Sequence, residues 1–164
     1  MPTETVDPRF ADVDCWPTVS VVETMLEGQL AAIAALKGQT GAIAAAAEAA
    51  AARMHKGGRL VYAGAGTSGR LAVQDGVELT PTYNWPSDRL VFLVAGGTGA
   101  LMRSVEGAED NVEAAREEVA AAEVGPNDVL IAVAASGRTP YAVAVLEAAR
   151  GRGALTIAIA NNPG

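Results

Sequence analysis

From Arg59 onward, short apolar runs alternate with glycine-rich turns and helix-forming stretches, and this rhythm constrains the fold most. Arg59–Ala65, Arg89–Ala95, Asp128–Ala134 and Ala154–Ala160 read as strands. The first runs into Gly64-Ala65-Gly66-Thr67-Ser68-Gly69-Arg70, with its helix beginning near Ser68 or Gly69. The second is followed by Gly96-Gly97-Thr98-Gly99 and an expected helix over Leu101–Ala122. The third leads through Ala135-Ser136-Gly137-Arg138-Thr139-Pro140 into a helix ending near Arg150, and the fourth into Asn161-Asn162-Pro163-Gly164. Apolar strands alternating with helices imply an α/β fold, a doubly wound parallel sheet with helices on both faces. Ligands of such sheets bind beyond the carboxyl ends of the strands.

The chain before that rhythm is different. Pro2, Pro8 and Pro17 punctuate an irregular arm. Val19–Leu36 has helical spacing, with Val22, Met25, Leu26, Leu30 and Ile33 near one face, and Gly38 is expected to break it. Gly41–Met54 is a second helix of strong formers. Residues 1–56 therefore form an N-terminal arm with helices, and 57–164 a ligand-binding domain. His55, the sole histidine, suits a helix C-terminus better than a catalytic role.

Composition removes several function classes. The net charge is −7 and no basic run is present, which disfavours nucleic acid and anionic membranes as partners. Cys15 is the single cysteine, so no intrachain disulfide and no thiolate zinc cluster can form, and no metal site is expected. The polar, acidic start is unlike a signal peptide, and a reduced, cytoplasmic setting fits. Lys37, Gln39, Thr40 and Glu48 interrupt the alanine-rich stretch and argue against a membrane span.

Any anion site must then be local. In the first turn Gly66 and Gly69 let a phosphate approach the backbone, and Thr67 and Ser68 offer hydroxyls. Ser136-Gly137-Arg138, followed by Thr139, echoes Ser68-Gly69-Arg70 at the same place after strand 3. Two such loops at one sheet edge can embrace one phosphate, although single βα turns are rich in Gly and Ser for conformational reasons alone. Residues 64–69 also satisfy Gly-x-Gly-x-x-Gly, but strand 2 ends without the acid that a dinucleotide ribose needs. No Gly-Lys-Ser/Thr follows, which removes a nucleotide P-loop. No nucleotide cofactor is expected.

Carboxylates are the remaining chemistry. Glu78 has apolar and small neighbours whose packing would desolvate it into a proton donor; alternatively it is a solvated residue of a C-terminal helical turn. Glu106, Glu109, Asp110 and Glu113 form an acidic patch on the expected second helix, and such patches are mostly solvated faces. Composition alone does not single out Glu109.

Three long stretches resemble one family in the same order: Gly64-Ala65-Gly66-Thr67-Ser68-Gly69-Arg70-Leu71, Val105-Glu106-Gly107-Ala108-Glu109-Asp110, and Ala134-Ala135-Ser136-Gly137-Arg138-Thr139-Pro140-Tyr141. They are similar to the N-acetylmuramic acid 6-phosphate etherases, in the sugar isomerase (SIS) superfamily. Thr3-Glu4, Pro8 and Asp12-Val13-Asp14 resemble that family's arm, and Asn162-Pro163-Gly164 its turn after strand 4. The resemblance implies cleavage of the lactyl ether of a sugar phosphate to N-acetylglucosamine 6-phosphate and D-lactate. The route is elimination followed by hydration, without metal or nucleotide, in recycling of bacterial cell-wall sugar. It implies catalytic roles for Glu78, the proton donor, and Glu109. It places Ser68, Ser136 and Thr139 on the phosphate.

The chain also departs from the family pattern. The family's Ala-x-Glu-Cys-Pro-Pro-Thr stands here as Gly76-Val77-Glu78-Leu79-Thr80-Pro81-Thr82. Cys15-Trp16-Pro17 and Asp7 differ in the arm, and relative to the family the chain is shortened at its C-terminus. Glu78 lies ten residues beyond Ser68, about 15 Å along a helix, and Glu109 is expected similarly deep in its own. The acids thus lie away from the phosphate edge, which implies a homodimer whose subunits share the site. A sugar-phosphate isomerase and a non-catalytic sugar-phosphate-binding regulator are the alternative functions.

Overall fold

The computed structural model describes residues 5–162. Thr3, Glu4, Pro163 and Gly164, cited above for the arm and the final turn, lie outside the described residues. Four strands, β1 (Leu60–Gly64), β2 (Leu90–Val94), β3 (Val129–Val133) and β4 (Leu155–Ile159), form one sheet in the order β2-β1-β3-β4. All neighbouring pairs are parallel, and Gly64 stands in register with Val94 on one side and Val133 on the other. The expected strand spans thus contain the observed ones, each longer by one residue at either end.

Helices α3 (Gly66–Tyr83), α4 (Val112–Ala121) and α5 (Pro140–Gly151) make the crossovers. Right-handed crossovers that run to opposite sides of the β1/β3 pair must place their helices on opposite faces. On one face Val61, Ala63, Leu93, Leu130 and Ala132 pack with Ala115 and Val119 of α4 and with Tyr141, Ala144, Val145 and Ala149 of α5. On the other, α3 lies over β1 and β2. Small residues on α4 and α5, among them Ala115, Ala144 and Ala149, let these helices sit close to the sheet.

At the opposite edge from the ligand loops, Asp128 is buried and ties the sheet together. Its carboxylate accepts from the Arg59 amide (3.0 Å), the Arg59 guanidinium (2.8 Å) and the Gly125 amide (2.9 Å). Burial works against its charge, but the Arg59 guanidinium and the two amides outweigh that and hold its carboxyl below the ordinary range. A buried Tyr141 hydroxyl likewise donates to Glu118, and burial first, that bond second, raise its pKa.

The N-terminal part is helical. Short 3-10 turns occupy Pro8–Phe10 and Val13–Cys15, then α1 covers Thr18–Leu36 and α2 Thr40–Met54. Gly38 does not separate them into two directions. Lys37–Gln39 is a 3-10 turn flanked by helical backbone, so Thr18–Met54 is one helical run. By length and composition alone this run is apolar enough to cross a membrane. Nothing in α1 or α2 is buried. Val22, Met25, Leu26, Leu30 and Ile33 are all exposed.

A further sequence expectation fails. No continuous helix covers Leu101–Ala122. The segment forms a 3-10 turn at Thr98–Leu101, a loop, a second 3-10 turn at Ala108–Asp110, and only then α4. Gly107 sits at φ 69°, a left-handed conformation that ends any helical run there. Glu106, Glu109 and Asp110 therefore do not share a helical face with Glu113.

Candidate substrate-binding site

Three βα turns meet at the carboxyl edge of the sheet. Because β1 lies between β2 and β3, its turn is flanked by the other two. The β1/β3 boundary is also where the chain's direction of winding reverses, the crevice in which such sheets bind ligands.

The first turn is built by close backbone approach. A Cβ on Gly69 would lie 2.7 Å from the Gly64 carbonyl oxygen, and one on Gly64 would lie 2.9 Å from the Gly69 Cα. These two glycines bring the first turn of α3 against the end of β1. Gly66 adopts φ 53° to start the helix. The N-cap position, Ala65, makes no side-chain cap, so the leading amides of α3 are left for another acceptor. Ser68 and Thr67 stand on this turn, Ser68 partly buried and Thr67 exposed.

The second loop folds over the first. Gly96 and Gly97 take positive φ, and the Arg70 guanidinium reaches across. Its Nε donates to the carbonyls of Ala100 (3.1 Å) and Leu101 (3.2 Å), and its Nη2 to that of Arg103 (3.4 Å). Between the two loops lies a cavity of about 360 Å³ lined by Gly66, Thr67, Arg70, Arg103, Ser104, Glu106 and Glu109, among others. Glu109 is thus beside the start of α3, not deep in a helix. Arg103 and Ser104 were not among the residues expected here, and no spacing signals them.

The third loop is held by its own bonds. The Ser136 hydroxyl accepts from the Arg138 amide (3.1 Å), and Gly137 turns at φ 70°. The Asn162 side chain donates to the carbonyls of Ala135 (3.2 Å) and Ser136 (3.3 Å), fixing the loop from β4. Thr139 precedes Pro140, the first residue of α5, and makes no side-chain cap. Ser136, Gly137, Arg138 and Thr139 share the sheet edge with the first turn but do not line the cavity.

Glu78 is elsewhere. It is exposed on α3, twelve residues beyond Gly66, which is about 18 Å along the helix. Among the described residues nothing covers it, so the desolvation suggested by its sequence neighbours is not supplied there. One departure from the family pattern finds its reason nearby. A Cβ on Gly76 would lie 2.5 Å from the Phe92 ring and 3.0 Å from Tyr62. Those rings stack with centroids 6.0 Å apart, and the Tyr62 hydroxyl donates to Asp75 at 3.0 Å. Large aromatics on this sheet face leave space only for glycine.

A family model of the glucokinase regulatory protein N-terminal SIS domain matches residues 42–150. The chain belongs to this SIS family. Its turns after β1 and β3 are therefore SIS loops, on the same doubly wound sheet. N-acetylmuramic acid 6-phosphate etherases are its relatives in sequence. The one from Deinococcus radiodurans is 49% identical over 99% of this chain and 53% of its own length. That from Streptomyces coelicolor is 46% identical over 98% of this chain and 51% of its own. The chain spans about half the length of these curated relatives. A phosphoheptose isomerase from Francisella tularensis has the same SIS fold, with a TM-score of 0.68 at 21% identity over 88% of this chain and 76% of that one.

Proposed function

We propose that the chain carries the sugar-phosphate-binding and acid–base core of an N-acetylmuramic acid 6-phosphate etherase, a carbon–oxygen lyase. The observation that carries this reading is Glu109 in one cavity with Gly66 and Thr67. It supports a substrate held by phosphate at the start of α3 with its reacting carbons beside a carboxylate. Ser68, Gly69, Ser136, Gly137, Arg138 and Thr139 complete the phosphate grip from the two loops. The relatives at 42–49% identity, all named for this activity, support the same substrate.

The chemistry needs two groups. A carboxylate removes the C2 proton, the C3–O bond breaks, and an acid delivers a proton to the departing lactate oxygen. Water then adds at C3 while a proton returns to C2. Glu109 serves the proton at C2 and Glu78 the leaving oxygen, a division that differing environments permit. Glu78's distance from the cavity supports a homodimer in which it enters the partner's site. The exposed apolar residues of α1 support the same arrangement, since burial against a second copy removes them from water. Residues 1–56 then serve as the arm and assembly helices and 57–164 as the sugar-phosphate domain, in a cytoplasmic enzyme of peptidoglycan recycling.

Incubating the chain with N-acetylmuramic acid 6-phosphate in ¹⁸O-water tests this. The expected products are unlabelled D-lactate and N-acetylglucosamine 6-phosphate carrying the label at C3. No lactate, or label in the lactate, contradicts the reading.

A further inference from the structure

The cavity between the first two loops contains two arginines, and only one is engaged. Arg70 spends its guanidinium on three carbonyls of the second loop. Arg103 is held at its backbone instead. Its amide donates to Gly99 and its carbonyl accepts from Arg70. Its side chain lines the cavity with Ser104, Glu106 and Glu109, and among the described residues its guanidinium makes no hydrogen bond or ion pair. An unspent, backbone-anchored guanidinium in a cavity of an otherwise acidic chain is a place for an anion.

We propose that Arg103 is a specificity-determining residue that binds the carboxylate of the substrate's ether-linked side chain. This rests on the etherase reading, in which the substrate has two anionic ends. The amides at the start of α3 suit the tetrahedral phosphate, which needs converging N–H donors. A planar carboxylate matches the paired donors of a guanidinium. The two ends therefore have separate receptors in the one cavity that Glu109 also lines. Arg103 selects sugars that carry the acidic side chain and orients the C3–O bond toward the carboxylates. Arg70 acts through it, by fixing the loop from which it projects.

Binding to the full chain by titration calorimetry separates the possibilities, with Glu109→Gln present throughout so that the first probe is not turned over. The probes are N-acetylmuramic acid 6-phosphate and N-acetylglucosamine 6-phosphate, which lacks the side chain. The chain with Arg103 intact is expected to prefer the first. In Arg103→Ala that preference falls by about 10- to 100-fold, the worth of a hydrogen bond to a charged group, while affinity for the second probe is unchanged. Arg103→Lys restores part of the preference, since it keeps the charge without the fork. Equal weakening of both probes would place Arg103 on the phosphate and overturn the inference while leaving the etherase reading intact. An undiminished preference in Arg103→Ala overturns it in the same way. Failure of the chain with Arg103 intact to bind either sugar overturns both. Arg103 is exposed and its backbone bonds survive substitution, so an unchanged unfolding midpoint is expected for both variants.

Discussion

Single residues decide two matters that the sequence shows only as letters. Asp128 opens strand 3 in a sequence reading and has no other role there. In the structure it holds Arg59 and two backbone amides at the amino edge of the sheet. Asp128→Asn should cost about 3 kcal/mol, the lower end for a broken buried pair because Arg59 keeps some exposure. The sign of its pH dependence follows from its lowered pKa. The stabilisation is fully present above the unfolded value near 4 and is lost as pH falls through the lower folded value. Urea unfolding at pH 7 and again below pH 3 should therefore show the gap between parent and variant closing in acid. Gly76 is the second case. Its lack of a side chain looks like a weakness in α3, yet the Tyr62–Phe92 pair occupies the space. Gly76→Ala is expected to be destabilising by about 1 kcal/mol, overpacking outweighing the gain in helix propensity. Adding Phe92→Leu should recover that loss in a double-mutant cycle; additive losses would contradict the packing account.

Elements were legible where the local signal and the tertiary outcome agree. Each strand is an apolar run ended by glycine or charge, and each is found within the expected span. The segment 101–122 misleads because its alanines and glutamates favour helix while Gly107 needs a left-handed backbone. Composition outweighs one glycine in the local signal, so the sequence points to a helix for Glu109 where the structure has a cavity-lining 3-10 turn. The cavity itself was not legible, because Arg70 builds it by bonding 30 to 33 residues ahead. The first helix shows the reverse limit. Its apolar spacing was visible in sequence, but the structure leaves that face exposed. Leu26→Glu together with Leu30→Glu should leave each chain folded, with its circular dichroism spectrum unchanged, because neither side chain packs in the core of one chain. The pair should also convert a dimer to a monomer in sedimentation velocity. A variant that stays dimeric would remove α1 from the interface.

For the whole molecule, the arrangement divides labour. In the proposed reading the loops after β1 and β3 hold the substrate's phosphate at the sheet edge, and Glu109 lines the cavity beside the first of them. Glu78 lies about 18 Å along α3 from that grip. The proposed second subunit would reconcile those positions, with one copy's phosphate loops facing the other copy's Glu78. Mixing Ser68→Ala and Glu78→Ala chains tests this most directly, after unfolding and refolding them together and with heterodimers verified by native mass spectrometry. Each variant alone should release almost no D-lactate from N-acetylmuramic acid 6-phosphate. The mixture should regain a clear fraction of the parent rate, because each heterodimer carries one site with both an intact serine and an intact glutamate. Verified heterodimers that stay as inactive as their parents would contradict the shared site.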